Sequence, residues 1–512
     1  MPHTLRRTGA VLLLALALSA CAPKTPPTTV AAPATVLAPA AAAAPAVRID
    51  SLSRELDRIF AAPSFDRMQW GVLVRSLASG QVLYERNASK LLMPASNMKI
   101  VTLAAAAERL GWDYTWTTTV APAGRVEGGV LNGDLVVRGT GDPTINGRSG
   151  EATVVFQKWA DLLLASGLRR IDGRIVGDAS AFDDEELGAG WAWDDMAFDY
   201  SAPVSALQFN EDVARIVVKP GVVEGAPAGI ELIPAESGLV VDNRVVTGPG
   251  DRAALSLRRL LGSDRLTVSG SIGRLAKEAV RLAAVDGPSA YFARAFRQVL
   301  IARGIDVTGP AVDARGLAVK PVLDGVTPFF VHRSPPLSEA ARVLMKVSQN
   351  LYAETFLKTI GAAAGEGGNT ESGQKEVVKV LQGWGIAPEE YVLADGSGLS
   401  RYNYLTPHML VTILEQVHRD PRHRDAFAAT LPIGGEDGGT IARRFKGTRA
   451  AGNVRAKTGS LANVRALSGY VASLDGEPLV FSIIANNFTV PQATIDAAID
   501  RAVEQLASLS RK

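Results

Sequence analysis

The chain has 512 residues, 47% of them apolar, and 54 Lys plus Arg stand against 52 Asp plus Glu for a formal net charge of +2. That balance, with no basic stripe interleaved with aromatics, gives no support for a nucleic-acid partner, and none is expected. One Cys and five His exclude a zinc enzyme: His3 lies in the leader, and His332, His408, His418 and His423 show no metal-ligand spacing, so neither metal nor cofactor is expected.

The N-terminus reads "MPHTLRRTGAVLLLALALSACAPKTP". Arg6 and Arg7 precede an apolar run from Ala10 to Leu18, too short to span a bilayer, which needs about 20 residues. The run ends in Leu18-Ser19-Ala20-Cys21, which resembles a bacterial lipobox. The resemblance implies removal of 1–20 as a signal peptide and lipidation of Cys21, for which the chain offers no cysteine partner. An ordinary secretory signal cut after a small residue is the alternative; either way the chain is exported, to the periplasmic side. Ala22 after the cysteine resembles the outer-membrane sorting pattern of Gram-negative cells. The Ala/Pro/Thr/Val stretch within 21–47 cannot form a core and reads as a linker. At about 3.1 Å per residue it reaches roughly 75 Å.

Apolar residues at Ile49, Leu52, Leu56 and Ile59-Phe60 predict a helix. "WGVLVRSLASGQVLYERN" predicts a hairpin. "MPASNMKIVTLAAAAERLG", from Met93 to Gly111, predicts a helix with Pro94 in its first turn and Gly111 just past its end. From about Trp112 to Pro328 short Val/Ile/Leu strands alternate with Gly, Pro and Asp turns. The chain returns near "HRSPPLSEAARVLMKVSQN". At the C-terminus "GNVRAKTGS", "RALSGYVAS" and "PLVFSIIANN" read as strands, with Asp475-Gly476 turning between the last two, and a helix closes the chain. The expected fold is α+β. Residues 48–115 and 325–512 form an antiparallel sheet flanked by helices, and 116–324 are inserted β-rich domains.

Ser96 and Lys99 share a helix face, so the amine can approach the hydroxyl where unpaired backbone N–H groups favour a developing anion. A capping role would explain Ser96 but not Lys99. Further along, Ser348-x-Asn350 opens a helix and Lys457-Thr458-Gly459 sits on a strand. The order Ser-x-x-Lys, Ser-x-Asn, Lys-Thr-Gly resembles that of the penicillin-recognising serine acyltransferases and β-lactamases. "LNGDLVVRGTGDPTI", "GWAWDDMAFDYSAPVSAL", "LADGSGLSRYNYLTP" and "LPIGGEDGGTIARRF" extend the likeness across about 48–510. They resemble the D-alanyl-D-alanine carboxypeptidase/endopeptidase family, the class C low-molecular-mass penicillin-binding proteins.

This resemblance implies a transpeptidase-type domain carrying two small β-rich insertions between the first and second motifs. It also implies peptidoglycan stem peptides and cross-links as substrates, and β-lactam antibiotics as acylating inhibitors. Ser96 is then the nucleophile, and Lys99 its base once burial and a second ammonium, Lys457, lower its pKa. Lys457, Thr458 and Ser460 are expected to hold the terminal carboxylate, and Gly459 to let the substrate backbone lie close to the strand. The N–H groups of Ser96 and Ser460 form the oxyanion site, Ser348 relays a proton, and Asn350 holds the substrate backbone. Asp195 resembles an insert Asp that meets the free amine of the stem peptide's third residue. "IGGEDGG", Asp395, Arg401, Trp191, Trp193 and Tyr200 are left as structure.

Two rival readings are a serine β-lactamase and a non-catalytic wall-binding lipoprotein tethered to the membrane by Cys21. Against the first, no Glu followed four residues later by Asn lies between Asn350 and Lys457. Carboxypeptidase and endopeptidase activity stay open, since both use the same nucleophile.

Overall fold

A computed structural model describes residues 47–260, 263, 265–436 and 438–512. The signal peptide, Cys21 and the linker expected before Val47 lie outside the described residues.

The first domain is built from both ends of the chain. It comprises α1 (Ile49–Phe60), β1 (Gln69–Ser76), β2 (Val82–Arg86), α2 (Met98–Leu110), α3 (Asn350–Ala363), β3 (Arg455–Leu461), β4 (Val464–Ala472), β5 (Pro478–Asn486) and α4 (Gln492–Ala507). The strands form one antiparallel sheet in the order β3-β4-β5-β1-β2, which leaves β3 at an edge. Successive residues of β1 and β5 point to opposite faces. Val72, Val74, Phe481 and Ile483 pack with Leu52, Phe60, Ile495 and Val503 of α1 and α4. Leu73, Val480 and Ile484 join the core of α2 and α3. Both faces are buried, so β5 is apolar on both sides apart from Ser482 and the terminal Asn486.

Helix α2 is the axis of this second core: every residue from Met98 to Ala107 is buried. Its four alanines from Ala104 to Ala107 favour helix and let neighbouring elements approach closely. Gly111 ends it at φ +79°, where its N–H reaches the Ala107 carbonyl at 3.1 Å.

The segment between the two halves is β-rich, as expected, and carries two helices besides. The hairpin Thr117–Glu127 and Val130–Gly139 anchors a mixed seven-stranded sheet. Two helices, Val154–Ala165 and Pro288–Ala302, belong to the same segment. Phe156, Trp159, Phe209, Phe292 and Phe296 interlock beneath them. Two three-stranded sheets follow, one from 213–219, 229–233 and 279–284, the other from 240–248, 253–259 and 265–273. The edge strand Phe330–Arg333 pairs with Thr117–Val120. The inserted sheet therefore runs past 325, and the crossing back lies beyond Arg333. Among the described residues, no helix is long and apolar enough to cross a membrane.

Candidate active site

Three separated segments converge where α2, α3 and the edge strand β3 meet. Pro94–Asn97 forms a tight turn before α2, held at its start by Asn486, whose side chain accepts from Met93 N–H (2.8 Å) and donates to Met93 O (3.1 Å). Ala95 sits at φ +46° and Ser348 at φ +63°. Left-handed backbone at a non-glycine residue costs about 1–3 kcal/mol and persists where the surroundings over-determine it. One such residue precedes Ser96, and the other is itself a motif residue.

Ser96 caps nothing, since neither the turn nor α2 has a side-chain cap. Instead Lys99 Nζ lies 3.0 Å from Ser96 Oγ, 2.6 Å from Asn350 Oδ1 and 2.7 Å from the Ser397 carbonyl oxygen. A neutral amine has two N–H donors and one lone pair. The amide oxygen and the carbonyl are acceptors only, so they take both donors and aim the lone pair at the Ser96 hydroxyl.

Lys99 is fully buried, and burial lowers its pKa to about 7 against the pull of Asp395 and Glu354. Glu354 is also buried, its pKa pushed up to about 7 by burial and then by Asp395.

Both acids organise the loop that presents Ser397. Glu354 accepts from the Gly396 and Ser397 N–H groups, each at 2.8 Å. Asp395 accepts from Gly398 N–H (2.7 Å), Ser400 N–H (2.7 Å), Asn403 Nδ2 (2.7 Å) and Trp191 Nε1 (2.9 Å). Gly398, at φ +81°, meets the Ser96 turn so closely that a Cβ would stand 1.9 Å from the Ala95 carbonyl oxygen. Gly398→Ala should therefore lower the thermal unfolding midpoint, at a cost of about 1–3 kcal/mol. It should also slow any acylation of Ser96 by roughly tenfold or more, as a pushed-back turn leaves Lys99 out of reach. Unfolding scans and labelling kinetics on the one variant test both effects.

On β3, Lys457 is fully buried and its Nζ donates to Ser348 Oγ and the Thr458 carbonyl, both at 2.8 Å. Thr458 Oγ1 donates to Thr440 Oγ1 at 2.8 Å, which gives the "IGGEDGG" segment a role beyond a turn: it delivers Thr440. Ser460 is exposed, and its hydroxyl accepts from the Arg465 guanidinium, a second cation beside the motif. At Gly459 a Cβ would meet the Pro94 carbonyl oxygen at 2.5 Å. The glycine thus admits the Ser96 turn.

The inserted segment reaches the site as well. Asn350 Nδ2 donates to the Tyr200 carbonyl (2.7 Å), so the Asn350 side chain bridges Lys99 and the insert. The Tyr200 hydroxyl donates to Asp195 Oδ1 at 2.7 Å. Asp195 is half-buried, and burial, helped by the neighbouring Asp194, raises its pKa against the opposing pull of Tyr200 and Arg401. Away from the site, Glu108, Asp420 and His423 converge, but Arg422 donates to both carboxylates and Trp112 Nε1 to His423 Nδ1 (3.1 Å). The protein itself meets that cluster's charge.

Three comparisons identify what this geometry belongs to. The model of the D-Ala-D-Ala carboxypeptidase 3 (S13) family matches residues 52–507. A D-alanyl-D-alanine carboxypeptidase of an Actinomadura species is 36% identical over 477 residues, covering 89% of this chain and 85% of that protein. The crystal structure of Haemophilus influenzae penicillin binding protein 4 superposes with a TM-score of 0.76 at 26% identity, covering 89% of this chain and 99% of that one. The same Haemophilus protein complexed with a β-lactam gives 0.70 at 24% identity over 89% and 98%. The chain belongs to the D-Ala-D-Ala carboxypeptidase 3 (S13) family, and it is a hydrolase, a D-alanyl-D-alanine carboxypeptidase with the α+β penicillin-binding-protein fold.

Proposed function

We propose that Ser96 is the nucleophile and that the substrates are peptidoglycan stem peptides ending in D-Ala-D-Ala. The observation that carries this reading is the Lys99 amine 3.0 Å from Ser96 Oγ, with its two other partners both obligate acceptors. The Ser96 proton passes to Lys99 as Oγ bonds the penultimate carbonyl carbon. The C–N bond then breaks, and the terminal D-Ala leaves as its amine takes a proton from Ser348, which Lys457 orients and which receives in turn the proton that Lys99 gained, leaving Lys99 neutral for the second half-reaction. Water next attacks the ester, giving its proton back through Lys99, and the shortened peptide departs with Ser96 restored.

The backbone N–H groups of Ser96 and Ser460 hold the oxyanion. The position of β3 at the sheet edge supports an extended peptide lying along it as a further strand. Thr458 and Ser460 then meet the terminal carboxylate, with Lys457 and Arg465 supplying positive charge behind them. A β-lactam in the same place acylates Ser96 and stays, and the relative complexed with a β-lactam supports this.

Asp195 receives the free amine of the stem peptide's third residue, and its link through Tyr200 to Asn350 supports that place. Asp195→Asn should cost roughly 10- to 100-fold in kcat/KM for an amine-bearing peptide relative to the same peptide acetylated on that amine. Equal losses on both peptides would remove Asp195 from recognition. The same nucleophile opens D-Ala cross-links, so endopeptidase activity is part of the proposal. Cutting of a purified cross-linked muropeptide dimer tests it. Residues 1–21 support export and a lipid anchor at Cys21; globomycin-sensitive processing and metabolic labelling with a fatty acid would report it.

A further inference from the structure

Helix α3, which begins at Asn350, is gripped from the insert along its length. Asn350 Nδ2 donates to the Tyr200 carbonyl (2.7 Å), Asn146 Nδ2 to the Tyr352 hydroxyl (2.9 Å), Gln208 Nε2 to Thr355 Oγ1 (2.9 Å) and Lys358 Nζ to the Glu185 carbonyl (2.6 Å). At the first turn the grip reaches a carboxylate of the insert. Gln349, between Ser348 and Asn350, accepts at Oε1 from Leu351 N–H (3.1 Å), which caps the helix. Its Nε2 donates to Glu211 Oε2 at 2.7 Å. The Arg148 guanidinium bonds both oxygens of Glu211 in turn, with Nη2 at 2.8 Å from Oε2.

Glu211 is held by an unusual backbone. Asn210, Glu211 and Asp212 have φ of +54°, +58° and +51°, three consecutive non-glycine residues in the left-handed region. Such a run persists only where neighbours fix it. Here Asn210 N–H donates to the Ile145 carbonyl (2.9 Å), and Asn210 Nδ2 to the Val213 carbonyl (2.9 Å). Ser348 also has positive φ, at +63°. One side-chain hydrogen bond, Gln349 to Glu211, thus joins a strained turn of the insert to the strained segment that carries Ser348 and Asn350. It lies outside the hydrophobic core and outside the acyl-transfer chemistry.

We propose that Glu211 is a positioning residue for the reaction: through the Gln349 side chain it sets how Ser348 and Asn350 face Ser96 and Lys99. The inserted segment is then part of the active-site scaffold. This rests on the reading of Ser348 and Asn350 given above.

The test compares the full-length chain with Glu211→Ala, Gln349→Glu, and the exchange Gln349→Glu plus Glu211→Gln. Gln349→Glu keeps the oxygen that caps Leu351 but sets two carboxylates against each other, and the exchange restores one donor and one acceptor with roles reversed. Rates of acylation by a fluorescent penicillin, and kcat and KM on diacetyl-Lys-D-Ala-D-Ala, are measured beside thermal midpoints. Glu211→Ala and Gln349→Glu should each lower acylation and kcat roughly 10- to 100-fold with KM within about threefold, and the exchange should regain about tenfold. Acylation of Glu211→Ala within about twofold of wild type, or an exchange no faster than Gln349→Glu, overturns the proposal. So does a lowered thermal midpoint with unchanged rates. If Glu211→Ala does not fold, the other two variants decide. Wild-type protein that takes no penicillin would overturn both this proposal and the assignment of Ser96.

Discussion

Ser96→Ala is expected to slow release of D-Ala from a D-Ala-D-Ala peptide by about 10⁴-fold or more while leaving the thermal midpoint unchanged. The size follows from what is lost. Without Oγ no acyl-enzyme forms, and attack by water must proceed in a cleft whose base is aimed at the missing hydroxyl. The fold is spared because, among the described residues, the Ser96 side chain has one hydrogen-bond partner, Lys99 Nζ, and the turn around it is held by Asn486, Asn97 and Ser468. D-Ala release measured beside a melting curve checks both halves. Appreciable turnover by a folded Ser96→Ala protein would move the nucleophile elsewhere.

Lys99→Arg should be nearly as damaging, roughly 10³-fold or more, because a guanidinium stays protonated and offers no lone pair. In the wild type the same requirement sets the pH profile. Burial lowers the Lys99 pKa to about 7, so the neutral amine is the minor form below that pH and the major form above it. Acylation should therefore gain about tenfold per unit as pH rises toward 7 and level off above it. A penicillin-acylation rate followed from pH 5 to 9 reads this directly. A flat or falling profile would mean that Lys99 is not the base.

The chemistry was legible in the sequence to the extent that it is local or motif-borne. Ser96 and Lys99 are one helical turn apart, so their approach needs only the backbone. Ser348, Asn350 and the Lys457–Gly459 strand are recognisable by type and order, although their meeting depends on the fold. The supporting shell was not legible. Asp395 and Glu354 lie 41 residues apart in sequence and act on one buried amine, a relation no spacing encodes. Gly459 and Gly398 are explained by the backbone of Pro94 and Ala95, which arrives from the far end of the chain. The helix Val154–Ala165 carried its own signal, Phe156, Trp159, Ala160 and Leu163 at helical spacing, yet its Val-Val-Phe start blends with the strands around it. Likewise Phe330–Arg333 reads as a connection, because a four-residue edge strand is defined by its partner at Thr117–Val120 rather than by its own pattern.

The most direct test of the acyl-enzyme is to treat the full-length protein with benzylpenicillin, digest it and locate the adduct by mass spectrometry. The penicilloyl group should sit on the peptide that contains Ser96, at one group per chain, and be absent after Ser96→Ala. An adduct on any other residue, or none on folded protein, would contradict Ser96 as the nucleophile.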